Sequence, residues 1–279
     1  MMNLPKCDSK LMPIAVAKVR VCRHNSLVGI TFLVNSLSCS EILSMNAIIT
    51  GGTKGIGRAI ADKLATEGYD LMICSRNAED LAAAKIALSA LNPKISVSTS
   101  RVDMRQKQEV LNFGETCLKT FDKIDVLINN AGVFLPGSIY EEEDGALETM
   151  IETNLYSAYH LTRKLVPGMM KHKSGFIINM ASIASFMAYP NGGSYSISKF
   201  ALRGFSKVLR EELKDKGIKV TTIMPGATWS HSWAGMKDQL PASRLMQARD
   251  IADTVWSLLN LSASAVVEEV VLRPQLGDL

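Results

Sequence analysis

Tyr195 and Lys199 stand four residues apart in SYSISKF, residues 194–200, with Ser196, Ile197 and Ser198 between them. On a helix that spacing stacks both side chains on one face, a turn apart. A free phenol titrates near ~10 and is a poor base at neutral pH. An ammonium beside it favours the phenolate and tunes the group toward proton transfer. An amphipathic helix that packs the tyrosine and solvates the lysine has the same spacing. The pair alone leaves both readings open.

A second cluster is TGGTKGIG, residues 50–57, directly after a strand-like run and directly before a helical one. Gly51 can take the positive φ of a tight turn, while Gly55 and Gly57 let backbone and helix approach a pyrophosphate. The helix start adds free N–H groups and a positive dipole end. Its Gly-x-x-x-Gly-x-Gly spacing differs from Gly-x-Gly-x-x-Gly, and without a Gly-Lys-Ser/Thr ending it is no P-loop. A dinucleotide is the expected ligand, with Gly51, Thr53, Lys54, Gly55, Ile56 and Gly57 as its binding set.

The end of the second strand selects the dinucleotide. An acid there would accept from the ribose hydroxyls and repel a 2′-phosphate. This chain has Cys74-Ser75-Arg76-Asn77 instead. Arg76, with Lys54, can hold the extra phosphate by charge-assisted hydrogen bonds. NADP(H) is expected over NAD(H).

These groups need a scaffold. Strand-like runs fall at 45–50, 70–75, 95–102, 124–129, 176–181, 218–224 and 266–272. Amphipathic segments lie between them at 56–67, 79–91, 105–120, 147–172, 196–215 and 248–260. Such alternation implies βαβ units. Right-handed crossovers then predict an α/β fold: a single doubly wound parallel sheet (a Rossmann fold) with helices on both faces and ligands at the carboxyl ends of its strands. No repeat or linker interrupts the chain after Met45, so residues 45–279 are expected to form one domain.

Of the 279 residues 47% are hydrophobic and 21% charged, as in an ordinary globular protein. Five Lys/Arg and two acids within residues 1–44 account for three of the four net positive charges, which leaves about +1 for the rest. No basic stripe remains to track nucleic acid. Five cysteines without a Cys-x-x-Cys fit a reducing compartment, so a cytoplasmic location is expected. Four scattered histidines argue against a bound metal. SLVGITFLVNSLS, residues 26–38, is too short and too polar to span a bilayer. With Lys18, Arg20 and Arg23 upstream it resembles a poor signal or transit segment. Residues 1–44 are expected to be a disordered or mis-assigned extension, with weak targeting as the alternative and no membrane association.

The other strand ends complete a pattern. NNAG, residues 129–132, closes the fourth strand, and Asn154 lies in ETNLYSAYH. Ser182 lies in NMASIAS thirteen residues before Tyr195, and Pro225-Gly226 closes the sixth strand. In this order, and with the glycine turn, the motifs resemble the short-chain dehydrogenase/reductase family over about residues 45–272. The resemblance implies Tyr195 as general acid in reduction or base in oxidation, and Ser182 as holder of the substrate oxygen. It implies Lys199 on the nicotinamide ribose and Asn154 in a proton relay through water. It also implies cofactor contacts from Asp103, at the adenine, with Met104 beside it. Further contacts come from Asn130, Ala131, Gly132, Tyr195, Lys199, Pro225, Gly226 and, at the carboxamide, Thr228. Ser230 stands where the family usually has a threonine, with the hydroxyl preserved.

The expected activity is NADP(H)-dependent interconversion of a carbonyl and a secondary alcohol. A 3-oxoacyl carrier-protein thioester, a small ketone and a pterin-like carbonyl are the candidate substrates. A homodimer or homotetramer is implied by the resemblance. A non-catalytic NADP-binding sensor or scaffold is the alternative, and the intact set Asn154, Ser182, Tyr195 and Lys199 argues against it. Residues 227–247, with Trp229, His231 and Trp233, are expected at a substrate lid or packed against neighbouring structure. EEED, residues 141–144, is expected to be a solvated cap on the helix that follows it. Asn129 is expected in the sheet core and Cys74 buried.

Overall fold

Every residue of β1 (Asn46–Thr50) is buried, the mark of a parallel strand covered on both faces. Period-two alternation sends Ala47 and Ile49 into one apolar layer and Ile48 into the other. The computed structural model describes residues 44–229 and 244–278. The readings for residues 1–43, Ser230, His231 and Trp233 lie outside the described residues.

The other strands are β2 (Asp70–Ser75), β3 (Val97–Arg101), β4 (Val126–Asn129), β5 (Gly175–Met180), β6 (Ile218–Pro225) and β7 (Glu269–Leu272). They form one sheet in the order β3-β2-β1-β4-β5-β6-β7. Every pairing is parallel. The helices are α1 (Gly55–Thr66), α2 (Ala78–Leu91), α3 (Lys107–Thr120), α4 (Ala146–Ile151), α5 (Ser157–His172), α6 (Gly193–Leu213) and α7 (Ala248–Leu259). Side chains of α1, α2 and α7 pack on one face of the sheet, and those of α3, α5 and α6 on the other. The doubly wound parallel fold is the one expected. Its winding reverses between β1 and β4, which opens a crevice at their carboxyl ends.

Two local expectations differ from the structure. The single helix expected at 147–172 is α4 and α5 joined by a π-helical turn, Glu152–Tyr156. Such bulges concentrate at functional positions, and this one buries Thr153 and Asn154. EEED does not cap α4, which begins after Gly145 in a left-handed conformation. Glu142 instead reaches the first turn of α6, where one carboxylate oxygen accepts from Ser194 N at 2.8 Å and the other from the Ser194 hydroxyl. The acid offsets the positive end of a helix 52 residues away in sequence. Local sequence cannot show such a partner.

Asn129 is buried and donates to Thr162 Oγ1 at 3.0 Å and to Asn179 Oδ1 at 2.8 Å, a sheet-core role as expected. Cys74 is buried as expected, and burial pushes its thiol up to about 12. Among the described residues no helix is long and apolar enough to cross a membrane.

Candidate active site

Thr50, the last residue of β1, ties the two sides of the crevice together. Its hydroxyl oxygen accepts from Asn130 N and Ala131 N, each at 2.9 Å. In return Asn130 Nδ2 donates to Thr50 O at 2.9 Å and Gly51 O at 3.2 Å. The chain turns at Gly51 with φ +65°, as a tight turn requires. At Gly57 the constraint is space. A Cβ there would meet Asn130 Nδ2 and Gly51 O, each at 2.3 Å. Gly57 thus serves the close packing of α1 on the turn and does not line the crevice.

The crevice holds a cleft of about 360 Å³. Of the expected cofactor set, Gly51, Thr53, Lys54, Gly55, Ile56, Arg76, Asp103, Met104, Asn130, Ala131 and Gly132 line it. Gly57, Tyr195, Lys199, Pro225, Gly226 and Thr228 do not. Ser75, Val102, Val133 and Thr153 also line it, and the sequence reading had missed them. Ser75 had a signal: it sits between the strand and Arg76, and its hydroxyl accepts from Thr53 Oγ1 at 3.2 Å. Val133 follows the NNAG motif directly. Val102 and Thr153 carry no local mark. The start of α1 has no side-chain cap, so its first N–H groups remain available to a ligand.

Charge around the cleft is more paired than expected. Lys54 Nζ lies 2.6 Å from Asp80 Oδ2, near the start of α2, so its ammonium is already engaged. Arg76 has no ion pair among the described residues. Asp103 is chelated by Arg105, with Nη2 to Oδ2 at 2.7 Å. That hydrogen bond holds the Asp103 carboxyl below its ordinary range, against the upward push of burial.

Beyond Gly132 the catalytic candidates converge. A Cβ on Gly132 would lie 3.1 Å from Asn154 Oδ1 and 3.5 Å from Lys199 Nζ. Asn154 Oδ1 accepts from Val133 N at 2.8 Å. Its Nδ2 donates to Val133 O at 3.0 Å and to Ser198 Oγ at 2.9 Å. Lys199 is buried and donates to Met180 O, the end of β5, at 2.9 Å. Two residues on, the Ser182 hydroxyl accepts from Ala184 N at 3.2 Å, while Ser185 Oγ accepts from Ser182 N at 3.3 Å. This reciprocal cap fixes the Ser182 backbone and gives Ser185 a positioning task that the sequence reading had not assigned.

Tyr195 is half-buried, and its phenol lies near enough to the Ser182 hydroxyl to be lowered by it. Phe134 sets its ring edge against the Tyr195 ring, with centroids 4.8 Å apart. The electrostatics reverse one expectation. Lys199 was expected to draw the phenol down, yet burial pushes it up to about 12, with the Ser182 hydroxyl pulling the other way. The lysine nitrogen lies 5.7 Å from the ring centroid and spends a donor on Met180 O. Burial also lowers Lys199 to about 8. In the protein by itself desolvation outweighs the charge pair.

Pro225, Gly226 and Thr228 form the turn after β6. Gly226 N donates to Leu272 O at 2.7 Å, and Thr228 Oγ1 to Gly226 O at 3.0 Å. Beside it Ala181 N donates to Ile223 O at 2.8 Å, which brings this turn next to Ser182.

The family description of short chain dehydrogenase matches residues 45–240. A sepiapterin reductase of Chlorobaculum tepidum is 31% identical over 239 residues, 83% of this chain and 97% of the relative. A 3-oxoacyl-[acyl-carrier-protein] reductase of Haemophilus influenzae is 33% identical over 228 residues, 79% of this chain and 92% of the relative. The crystal structure of a metagenomic short-chain oxidoreductase in complex with NADP superposes with a TM-score of 0.73 at 29% identity, covering 84% of this chain and 98% of that one. Sheet order, glycine turn and matched length agree: the chain belongs to the short-chain dehydrogenase family of oxidoreductases.

Proposed function

We propose that this chain is an NADP(H)-dependent oxidoreductase that interconverts a carbonyl and a secondary alcohol, with Tyr195 as general acid and base. The observation that carries the reading is the convergence beside Gly132 of Asn154 and buried Lys199, with Lys199 bonded to Met180 two residues before Ser182 and one helical turn from Tyr195. The residues present fit a dinucleotide. The uncapped start of α1 and the glycine turn suit a pyrophosphate, and Arg76 suits a 2′-phosphate. Asp103 and Met104 would meet the adenine, while Asn130, Ala131 and Gly132 would flank the ribose side. The Pro225–Thr228 turn would take the carboxamide, and Tyr195 and Lys199 the nicotinamide ribose.

When bound, the cofactor would supply or accept the hydride. The protein manages the proton. Ser182 would donate to the substrate oxygen as negative charge builds on it. Tyr195 would hand its proton to that oxygen in reduction and take one back in oxidation. Burial keeps the phenol protonated and so present as a donor, but it also makes proton release harder, a cost that positive charge from Lys199 and the bound cofactor would offset. Lys199, fixed by Met180, would orient the ribose and offset charge on the phenolate. The side-chain amide of Asn154 is committed to Val133 and Ser198, so its share in a water relay would fall to its backbone.

Phe134 and Tyr189 beside Tyr195 favour a carbonyl with an apolar flank, either a 3-oxoacyl thioester or a small ketone. Exposed Ile197, Phe200 and Val208 on α6 suit a homodimer or homotetramer. The test is a panel of ketones, pterin carbonyls and 3-oxoacyl thioesters with NADPH absorbance as readout. NADPH consumption with at least one class is expected. Tight NADPH binding without turnover on any class would favour the sensor reading.

A further inference from the structure

We propose that Asp278 is a positioning residue whose carboxylate locks the turn after β6, the backbone assigned above to the nicotinamide carboxamide. The functional part of this inference rests on that assignment; the anchor itself does not.

Past Leu272 the chain doubles back. Gly277 takes φ +83°, and its N–H donates to Pro274 O at 2.8 Å. The bend lays Asp278, six residues beyond β7, over the turn at Pro225–Thr228. Asp278 Oδ1 accepts from Ala227 N at 2.9 Å, and Oδ2 meets Arg273 Nε at 2.5 Å. Its side chain is only 15% exposed. The fit is close: a Cβ on Gly226 would lie 2.1 Å from Asp278 Oδ1. Any side chain at Gly226 would push the carboxylate off Ala227 N.

The other groups of this turn are held from β7 or from the turn's own continuation. Gly226 N goes to Leu272 O, Thr228 Oγ1 to Gly226 O and Trp229 N to Met246 O. Ala227 N has Asp278 as its partner. A charge-assisted bond braced by a guanidinium is stronger than a neutral one, so removing it frees the residue between Gly226 and Thr228. Asp278 also lies near enough to Tyr189 for its charge to raise that phenol, second to burial.

The test compares Asp278→Ala with Asp278→Asn, which keeps an oxygen for Ala227 N. Amide hydrogen exchange at Ala227, NADPH affinity by fluorescence and melting temperature are read together. Asp278→Ala should speed Ala227 exchange by about tenfold or more and weaken NADPH by roughly three- to tenfold, with a melting temperature lower by no more than several degrees. Asp278→Asn should hold both within about twofold. Unchanged exchange and affinity in Asp278→Ala would overturn the proposal, as would an Asn variant that behaves like Ala. Exchange that accelerates while NADPH affinity stays put overturns the link to the cofactor. If the unmutated chain does not bind NADPH at all, the cofactor reading fails, and Ala227 exchange still decides the anchor.

Discussion

Lys199 Nζ lies 2.9 Å from the Met180 carbonyl oxygen, which fastens α6 to the last residue of β5. Ser182 follows Met180 by two residues, and Tyr195 precedes Lys199 by one helical turn. One hydrogen bond therefore registers both hydroxyl-bearing candidates against each other. The same bond commits a donor of a lysine already deprived of water, and this makes its titration visible in folding.

Burial lowers Lys199 to about 8 in the fold from an ordinary 10.5. Between those values the unfolded chain binds more protons at Lys199, so this residue's contribution to stability should rise with pH across the window. It should be lost again as pH falls toward 8. The contribution is on the order of 3 kcal/mol at full development. Cys74 and Cys117, whose thiols burial pushes up, hold protons that the unfolded chain releases above about pH 9 and so oppose the gain in both proteins. In urea titrations at pH 7, 8, 9 and 10 the stability of the native chain relative to Lys199→Met should therefore climb with pH. Equal slopes would mean that the amine is not desolvated. Above pH 10 Tyr195 opposes the gain, because its folded value near 12 keeps a proton that the unfolded chain releases.

Tyr195→Phe removes the hydroxyl and leaves the ring that Phe134 packs against. Turnover should fall by about a thousandfold or more, with NADPH affinity within a few-fold. Retained turnover would reject Tyr195 as the acid and base.

Arg76 and Lys54 should not contribute equally to cofactor choice. Lys54 is paired with Asp80 at 2.6 Å, whereas Arg76 is free of ion pairs among the described residues. Arg76→Ala should lower kcat/KM for NADPH by about ten- to a hundredfold and leave NADH nearly unchanged. Lys54→Ala should cost less. Asp80→Asn should release Lys54 and improve NADPH relative to NADH. Comparable kcat/KM for the two cofactors in the native chain would contradict the NADP preference.

Glu142 caps the helix that carries Tyr195 and Lys199. Glu142→Ala should destabilise the fold by about 1–2 kcal/mol, and Glu142→Gln by less, because the amide oxygen still accepts from Ser194 N. Thermal melts of the three proteins check the order Glu, Gln, Ala. Identical melts would show that the cap carries no net stability.

The elements of the fold were legible because their signals are local. Period-two and period-3.6 patterns lie within single segments, and Gly51 marks the turn after β1 without reference to anything distant. The order of motifs at strand ends carried the family and the list of site residues, although six of the expected cofactor residues sit outside the cleft that holds the rest. Partnerships between segments were not legible. Nothing near Lys54 announces Asp80, and nothing near Glu142 announces Ser194. The π-helical turn at Asn154 breaks no hydrophobic pattern, so it left no trace in the chain.

The amino-acid order by itself determined the alternation of strands and helices and the glycine turn, since each depends on neighbours a few residues away, while the order of motifs along the chain, through the family resemblance, named the four catalytic candidates. Tertiary structure alone decided which charges are already paired, how far burial moves Tyr195 and Lys199, and what anchors Ala227. Those outcomes depend on desolvation and on contacts between remote segments, which exist only once the chain has closed on itself.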